Sequence, residues 1–216
     1  DDISVPASVN GSTLADSALV DVTAAPASAA HSQLDISSTS ISADSTGFTA
    51  TITLYDEFNN LITTGGDAVS YVSGAAGAGA VVDNGDGTYS IPVTASTTAT
   101  DYTLTVSVGS VDFTDTEDYT VIPGAASEAN STIPTNPIDV LANESGTVEL
   151  HLIDAHGNRL LFSQGSAYTV SFSSDDTNST LTIAAPVLVD DGGFSKHTAT
   201  LSDTEAETLT INGSFS

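Results

Sequence analysis

Phe48–Ser73 reads FTATITLYDEFNNLITTGGDAVSYVS, and Thr147–Ser173 reads TVELHLIDAHGNRLLFSQGSAYTVSFS. The two stretches match along most of their length, and Asp154 stands 98 residues after Asp56. Matches continue on both sides, so that each copy spans roughly 100 residues, the usual size of one domain. This repeat predicts two domains of one kind in tandem, because a unit of that length buries its own core.

Apolar residues alternate with polar ones within each copy. One face of the first quoted strand carries Phe48, Ala50, Ile52 and Leu54, with threonines between them, and the second copy repeats the alternation from Val148 onward. Period two with one polar face indicates antiparallel strands packed on one side. About seven such runs in each copy predict an all-β fold of two-sheet sandwiches with Greek-key connections.

The chain is predicted to divide at two joints rich in Ala, Pro, Gly and Ser. Pro26 aligns with Pro123 at an offset of 97. Residues 26–122 then form a first complete domain, and residues 123–216 form a second. The second copy has no match to the last strand of the first, so the second domain is expected to lack that strand. Joints this short favour a semi-rigid rod over loosely tethered domains.

Residues 1–25 are similar to the last hairpin of a copy, since SVNGSTLADSALVDVTAAP matches SVGSVDFTDTEDYTVIPG. Two interpretations stay open. The segment is the tail of a preceding domain, or it is a donor strand around Ala18–Val22 that fills the gap in the second domain of another molecule. Such strand complementation predicts head-to-tail self-association.

The charge balance excludes several partners. Twenty-eight acidic residues stand against two basic ones, for a formal net charge of −26. Such a chain cannot gather phosphates, which excludes nucleic acid, and anionic membrane surfaces repel it. No apolar run reaches the ~18 residues that cross a membrane as a helix, so direct membrane insertion is not expected. High salt or divalent cations relieve the self-repulsion, which suits a saline exterior.

Calcium is the cofactor that this acidity favours. Ca²⁺ takes several oxygen ligands from carboxylates and carbonyls, and an ion at a domain joint would stiffen the rod. No cluster has the spacing of an EF-hand loop, and for any single cluster a solvated turn is the simpler interpretation. The candidate ligands are Asp56 with Glu57, Asp83 with Asn84 and Asp86, and Asp115 with Glu117 and Asp118.

No enzymatic activity is predicted. The chain has four histidines and many serines, but it has no Gly-x-Ser-x-Gly elbow and no His-Glu-x-x-His zinc motif. Cysteine is absent, which excludes a disulfide framework and a thiolate metal site. A platform of exposed aromatics is a candidate glycan site, although two small cores also need these residues: Tyr55, Phe58, Tyr89 and Phe162.

LDISSTSISADSTGFTATITLYDEFNN and ANESGTVELHLIDAHGNR resemble the bacterial immunoglobulin-like domains of the invasin/intimin type. Those domains carry an alternating strand followed by an Asp-x-x-Gly-Asn turn, which the second copy holds as Asp154–Asn158. The first copy has Asn59 in place of the glycine, and asparagine tolerates a left-handed turn residue. VDNGDGTYSIPV is similar to the late hairpin of filamin-type immunoglobulin repeats.

The resemblance implies tandem immunoglobulin-like sandwiches in a bacterial surface or extracellular protein. It implies a non-catalytic extender or stalk module of a large adhesin, whose partners are neighbouring domains of the same parent protein. Two alternatives stay open, namely an adhesive domain that binds a glycan or a protein, and a subunit of a surface filament assembled by strand complementation. The sequence does not indicate which host or surface ligand is bound.

Overall fold

A computed structural model describes residues 2–74, 79–134, 138–177 and 180–216. The described residues form sixteen strands and one helical turn, which confirms the predicted all-β fold. The strands are β1 (Asp2–Val9), β2 (Ser12–Asp21), β3 (Gln33–Ile36), β4 (Ser40–Ser42), β5 (Phe48–Thr53), β6 (Val69–Val72), β7 (Val82–Asp83), β8 (Thr88–Val93), β9 (Asp101–Val108), β10 (Val111–Ile122), β11 (Ser145–Leu150), β12 (Val170–Ser174), β13 (Thr182–Ile183), β14 (Val187–Asp191), β15 (Phe194–Ser202) and β16 (Ile211–Phe215). The helix, α1 (Phe162–Gly165), has four residues, and no described helix is long and apolar enough to cross a membrane.

The first two strands form a hairpin of their own. β1 and β2 pair antiparallel around Asn10 and Gly11, whose φ angles are 52° and 76°. Positive φ at both central residues is the type I′ geometry that the Asn-Gly dipeptide favours. Among the described residues, no strand pairing joins this hairpin to any other strand.

Residues 26–122, called domain 1 below, form a sandwich of two four-stranded sheets. One sheet has the order β3-β5-β8-β7, and the other has the order β4-β10-β9-β6. All pairings are antiparallel except that of β4 with β10, which is parallel. Because β3 and β4 follow one another along the chain but lie in opposite sheets, the chain crosses between the sheets, as Greek-key sandwiches do.

The core of domain 1 lies between its two sheets and follows the predicted alternation. Along β5, Phe48, Ala50 and Ile52 are buried while Thr49 and Thr51 are exposed. Tyr119 on β10 fills the centre of the sandwich. Its ring stacks on Tyr102 at 5.5 Å and meets Phe48 edge-on at 4.9 Å, and its hydroxyl donates to the carbonyl of Ser73.

Residues 123–216, called domain 2 below, repeat this plan with fewer strands. β11 pairs with β15, which also pairs with β13 and β14, and β12 pairs with β16. By sequence repeat β16 corresponds to β9, yet among the described residues no strand holds the place beside it that β10 holds beside β9. The buried side chains of domain 2 form two smaller clusters, around Leu152 and around Val148.

Candidate functional site at the domain joint

A buried carboxylate organises the turn that follows the central strand of domain 1. Asp56 is fully buried, with none of its surface exposed. Its Oδ1 accepts the backbone N–H groups of Phe58, at 2.9 Å, and Asn60, at 2.8 Å. Its Oδ2 accepts the Asn60 side-chain amide and the backbone N–H of Ala25, both at 2.9 Å. The carboxylate therefore ties the turn to the linker that enters the domain.

Asp154 makes the same four bonds in domain 2. Its Oδ1 accepts the backbone N–H groups of His156, at 2.9 Å, and Asn158, at 2.8 Å. Its Oδ2 accepts the Asn158 side chain at 2.7 Å and the backbone N–H of Gly124 at 2.9 Å. Both turns also need one left-handed residue, which is Asn59 at φ 63° in the first and Gly157 at φ 90° in the second. The prediction that Asn59 preserves the turn is confirmed.

Both carboxylates stay ionised despite their burial. Burial by itself would raise the pKa of Asp56, but the hydrogen bonds from Asn60, Ala25 and Phe58 outweigh it and lower the pKa to about 2. At Asp154 burial acts in the same direction, and the bonds from Asn158, Gly124 and His156 again leave the pKa below its ordinary value. Each turn thus holds a carboxylate anion with N–H donors.

The turn of domain 2 also reaches across the joint to domain 1. The Asn158 Oδ1 accepts the backbone N–H of Ala99 at 3.1 Å, and its Nδ2 donates to the carbonyl of Thr97 at 2.8 Å. His156 Nε2 lies 3.4 Å from Asp44 Oδ1 on the domain 1 side. One turn therefore binds its own linker and the domain that precedes it.

The linker between the domains is bonded residue by residue. The Pro123 carbonyl accepts the Gln164 side chain at 2.8 Å, and the Ala125 N–H donates to Asp44 Oδ2 at 2.7 Å. The Ala126 N–H donates to the Tyr168 hydroxyl oxygen at 2.8 Å. Gly124 lies so close to Asp44 that a side chain at this position would require the Asp44 carboxylate to move away from the linker.

A cleft of about 430 Å³ remains between the domains. Thr120 and Ile122, at the end of β10, form part of its wall on the side of domain 1, and Phe194 forms part of the wall on the side of domain 2. The Arg159 guanidinium also borders the cleft, 5.2 Å from the centre of the Phe194 ring and within 3.0 Å of Asp191. One of the two cations of the chain therefore lies at the joint.

The two domain entrances align differently from the sequence prediction. Ala25 and Gly124 donate to equivalent aspartates, and Ala27 and Ala126 bridge to the same aspartates, so the entrances correspond at an offset of 99. Pro26 and Pro123, which the sequence placed together at an offset of 97, are therefore two positions out of step. The two prolines lie in similar linkers but at non-equivalent positions. Short stretches rich in Ala, Pro, Gly and Ser are too alike for the sequence to show this difference.

The first predicted calcium cluster lies in the turn of domain 1. Asp56 directs both oxygens at the four N–H donors described above, while the neighbouring Glu57 is exposed. The structure does not bring the two carboxylates together around a common point, because one is buried within the turn and the other faces solvent. Asp154, which bonds to the linker, and Asn158, which bonds across the joint to domain 1, were not among the predicted site residues. Their signal in the sequence was the shared offset of 98 for Asp and Asn.

The second cluster is a hairpin turn whose side chains bond to the turn itself, to β8 and to Gly66. Asp83 accepts the N–H groups of Gly85 and Gly66, both at 2.8 Å, and Asp86 Oδ1 accepts the N–H and the hydroxyl of Thr88. The Thr88 bonds lower the pKa of Asp86. The Asn84 amide donates to Thr88 and Ser90. These bonds close the connection between β7 and β8.

The third cluster is spread over two faces of β10. Asp115 Oδ2 accepts the Leu34 N–H at 3.0 Å, and Asp118 accepts the Thr103 hydroxyl at 2.6 Å. Glu117 and Asp118 point to opposite sides because they are neighbours along a strand. Among the described residues, no group of three or more His, Cys, Asp or Glu side chains converges on a metal-sized site. Calcium binding stays a prediction of the sequence.

The predicted aromatic platform divides between core and surface. Tyr89 is only 2% exposed, and its hydroxyl accepts the Asp67 N–H at 2.9 Å, so it belongs to the core of domain 1. Phe58 and Phe162 are exposed but belong to different domains. The structure therefore does not gather these aromatics into one surface patch.

Comparison with known proteins identifies the type of domain. The model of the family described as invasin, domain 3, matches residues 28–124. Solved structures that match include invasin, a bacterial integrin-binding protein, at 24% identity and a TM-score of 0.61, over 99% of this chain and 42% of that one. No curated protein matches significantly.

Two bacterial proteins match at slightly higher identity. FdeC, an adhesin of Escherichia coli, is 28% identical with a TM-score of 0.63, over 90% of this chain and 61% of that one. InvD of Yersinia pseudotuberculosis is 27% identical with a TM-score of 0.57, over 86% of this chain and 53% of that one. The chain spans less than two thirds of each relative. The resemblance to invasin-type immunoglobulin-like domains is confirmed, and it relates the chain to bacterial adhesins.

Proposed function

Because the chain is a tandem of adhesin-type immunoglobulin-like domains, we propose that it is a non-catalytic extender, or stalk, module of a large extracellular bacterial protein. Its partners are the neighbouring domains of the same parent protein, which it holds at a fixed spacing and orientation. The observation that carries this proposal is the bonded joint. Asn158 of domain 2 bonds to domain 1 as well as to Asp154 in its own turn. Asp44 of domain 1 contacts the linker and the turn of domain 2.

The bonds of the joint oppose bending. Domain 2 and its linker make three hydrogen bonds to domain 1, through Ala99, Thr97 and Asp44. A hydrogen bond contributes about 1 kcal/mol net, so a bend that breaks all three costs several times the thermal energy. A joint of this kind transmits orientation from one domain to the next, as a stalk requires.

Small-angle X-ray scattering tests the stalk proposal. Asn158→Ala removes the side chain that spans the joint, while Asn60→Ala removes the equivalent asparagine, which bonds to Asp56 but to no neighbouring domain among the described residues. We expect the scattering curves of the unsubstituted 216-residue chain and of Asn60→Ala to fit a single extended conformation. The curve of Asn158→Ala should require a broad ensemble of conformations. If Asn158→Ala scatters like the parent chain, the bonded joint does not set the orientation and the proposal loses its support.

An extracellular, saline setting is part of the same proposal. The formal net charge of −26 is carried by a chain with only two cations, and at physiological salt charges repel over about 8 Å. Salt shortens that range and so favours close approach of two acidic domains. The adhesin FdeC and the integrin-binding protein invasin support a location on the bacterial surface.

Calcium as a stiffening ion remains a separate prediction, motivated by the charge. We expect the melting temperature to rise when CaCl₂ replaces a chelator at constant ionic strength, because an ion that binds only the folded state stabilises it. Magnesium chloride is the control for simple screening. Equal melting temperatures in CaCl₂, MgCl₂ and chelator would remove calcium from the account without affecting the joint.

A filament subunit assembled by strand complementation is the second candidate. β2 has the sequence pattern of β10, the strand that pairs with β9 in domain 1, and a free sheet edge is a template for pairing with another chain. β2 is paired with β1 and would have to leave it to act as a donor strand. Light scattering over a range of concentrations decides, since a strict monomer with a folded domain 2 rules out strand exchange.

A further inference from the structure

The cleft between the two domains has the size and the walls of a small-molecule site. Its volume of about 430 Å³ lies within the range of ligand pockets, roughly 300 to 1,000 Å³, which are mostly apolar and often lie at domain interfaces. Ile122 supplies apolar surface from domain 1, and Leu161 and Phe194 supply it from domain 2. A ligand in the cleft would therefore contact both domains.

One charged side chain borders this apolar space. Of the described residues that line the cleft, Arg159 alone is charged, and none is acidic. The side-chain amide of Asn158, which also lines the cleft, is already bonded to domain 1 and to its own turn. The cleft thus combines an apolar lining with a single cation.

The Arg159 guanidinium keeps hydrogen-bond donors for a ligand. Its Nη2 donates to Asp191 Oδ2 at 3.0 Å and to the Ser195 carbonyl at 3.3 Å. Within the part of the chain that the structure describes, its Nη1 makes no hydrogen bond, and its Nε is buried without a partner. Because a guanidinium carries five N–H donors and binds carboxylates strongly, donors remain for an anion.

The repeat indicates that the turn does not need a cation at this position. Arg159 bridges to Ile153 as Leu61 bridges to Tyr55, so the equivalent position of domain 1 holds leucine. The chain has only two basic residues, and one of them lies here. At physiological salt charges interact over about 8 Å, so this guanidinium outweighs distant acids within the cleft. The position of Arg159 therefore favours an anionic ligand.

We infer that the cleft binds a small organic acid that joins one carboxylate to an apolar or aromatic body. The carboxylate accepts hydrogen bonds from the Arg159 guanidinium, and the body packs on Ile122, Leu161 and Phe194. A neutral aromatic compound lacks the charge, and a purely polar anion lacks the body, so both bind more weakly. This inference goes beyond the stalk proposal and does not depend on it, since it needs the cleft but no particular role for the chain.

Isothermal titration calorimetry with 2-naphthoate tests the site, and 2-naphthamide is the control of similar shape without the charge. We expect the 216-residue chain to bind naphthoate more tightly than naphthamide by about tenfold, because only naphthoate makes charge-assisted hydrogen bonds. Arg159→Leu should remove this preference, whereas Lys196→Gln, which removes the other basic residue outside the cleft, should keep it. Phe194→Ala should weaken the binding of both compounds alike.

Amide NMR spectra recorded during the naphthoate titration locate the ligand. We expect shift changes at Thr100 and Ile122 in domain 1 and at Leu161 and Phe194 in domain 2. The inference is overturned if naphthoate does not bind, if the unsubstituted chain binds both compounds equally, or if the shifts lie away from the cleft. A preference for naphthoate that survives Arg159→Leu in a folded chain overturns it as well. None of these results bears on the scattering test of the stalk, which uses no ligand.

Discussion

At the scale of single residues, a buried aspartate that accepts four N–H donors fixes each domain entrance. Asp56 and Asp154 have no exposed surface, and both keep pKa values below the ordinary range. A carboxylate in this setting stabilises the fold only while all of its donors are present, because its burial is otherwise costly. At each entrance the turn and the linker therefore depend on one aspartate side chain, and at domain 2 the joint depends on it as well.

Asp154→Ala should destabilise domain 2 by about 3 kcal/mol, because it leaves buried N–H groups of the turn and linker without an acceptor. Urea unfolding followed by signals from domain 2 measures the loss. Glu144→Ala removes an exposed acid from the same domain and should change stability by less than about 0.5 kcal/mol. Equal effects of the two substitutions would mean that the four-donor arrangement does not stabilise the domain.

Acid should destabilise domain 2 before domain 1. Burial lowers the pKa of both His197 and His151, the latter also through Arg159, so folded domain 2 holds these rings neutral. Above the unfolded pKa of about 6.5, the two rings leave the free energy of unfolding of domain 2 at its full value. This free energy declines as pH falls below about 6.5, because the unfolded chain then binds protons that the folded chain does not. Asp56, with its pKa of about 2, contributes fully above about 3.8 and loses its contribution as pH falls through 2.

Hydrogen exchange at pH 7, 5.5, 4 and 2.5 separates the two windows. Protection in domain 2 should fall between pH 7 and 5.5 while protection in domain 1 holds. His197→Asn should flatten the response of domain 2 over that interval. If both domains lose protection in the same interval, the buried histidines do not govern the acid response.

The residues of the joint show how much of the turn a sequence can predict. Repetition of Asp and Asn at one offset revealed the turn, and acidity suggested calcium. A sequence displays the acid at position 56 but not the N–H groups of Ala25, Phe58 and Asn60 that surround it. The contacts of Asn158 with Thr97 and Ala99 join residues about 60 positions apart, which no local pattern predicts.

At the scale of elements, β10 completes domain 1. It pairs with β9 on one side and with β4 on the other, and it contributes Phe113, Tyr119 and Val121 to the core. Domain 2 has two smaller buried clusters where the described residues include no such strand.

Tyr119→Ala should destabilise domain 1 by about 4 kcal/mol, since it removes a buried ring that contacts two other aromatics. Thr114→Ala, on the exposed face of the same strand, should change stability by less than about 0.5 kcal/mol. Denaturant unfolding of both variants gives the comparison. A small loss for Tyr119→Ala would show that β10 is not central to the core.

Strand alternation made the elements of domain 1 the most predictable part of the fold. The face of β5 that carries Phe48, Ala50 and Ile52 is buried as the period-two pattern predicts. The parallel pairing of β4 with β10 and the helical turn α1 were not predicted. Three-residue strands and four-residue helices are too short to leave a periodic signal, and their positions depend on contacts distant in sequence.

At the scale of the whole molecule, acidity and rigidity must coexist. Both cations, Arg159 and Lys196, lie in domain 2, where they pair with Asp191 and Glu149. The remaining acids have few cations near them, yet the joint brings Asp44 and Asp154 close to one linker. Backbone N–H groups of the linker donate to both carboxylates and so hold them there despite the negative charge of the chain.

The most direct test of the rigid joint is a distance distribution between the two domains. The chain has no cysteine, so Val82→Cys and Val187→Cys, both at exposed positions, accept spin labels at unique sites. Double electron–electron resonance should give one narrow distribution for the otherwise unchanged chain and a broad one after Asn158→Ala. A distribution that is already broad with Asn158 present would contradict a joint fixed by hydrogen bonds.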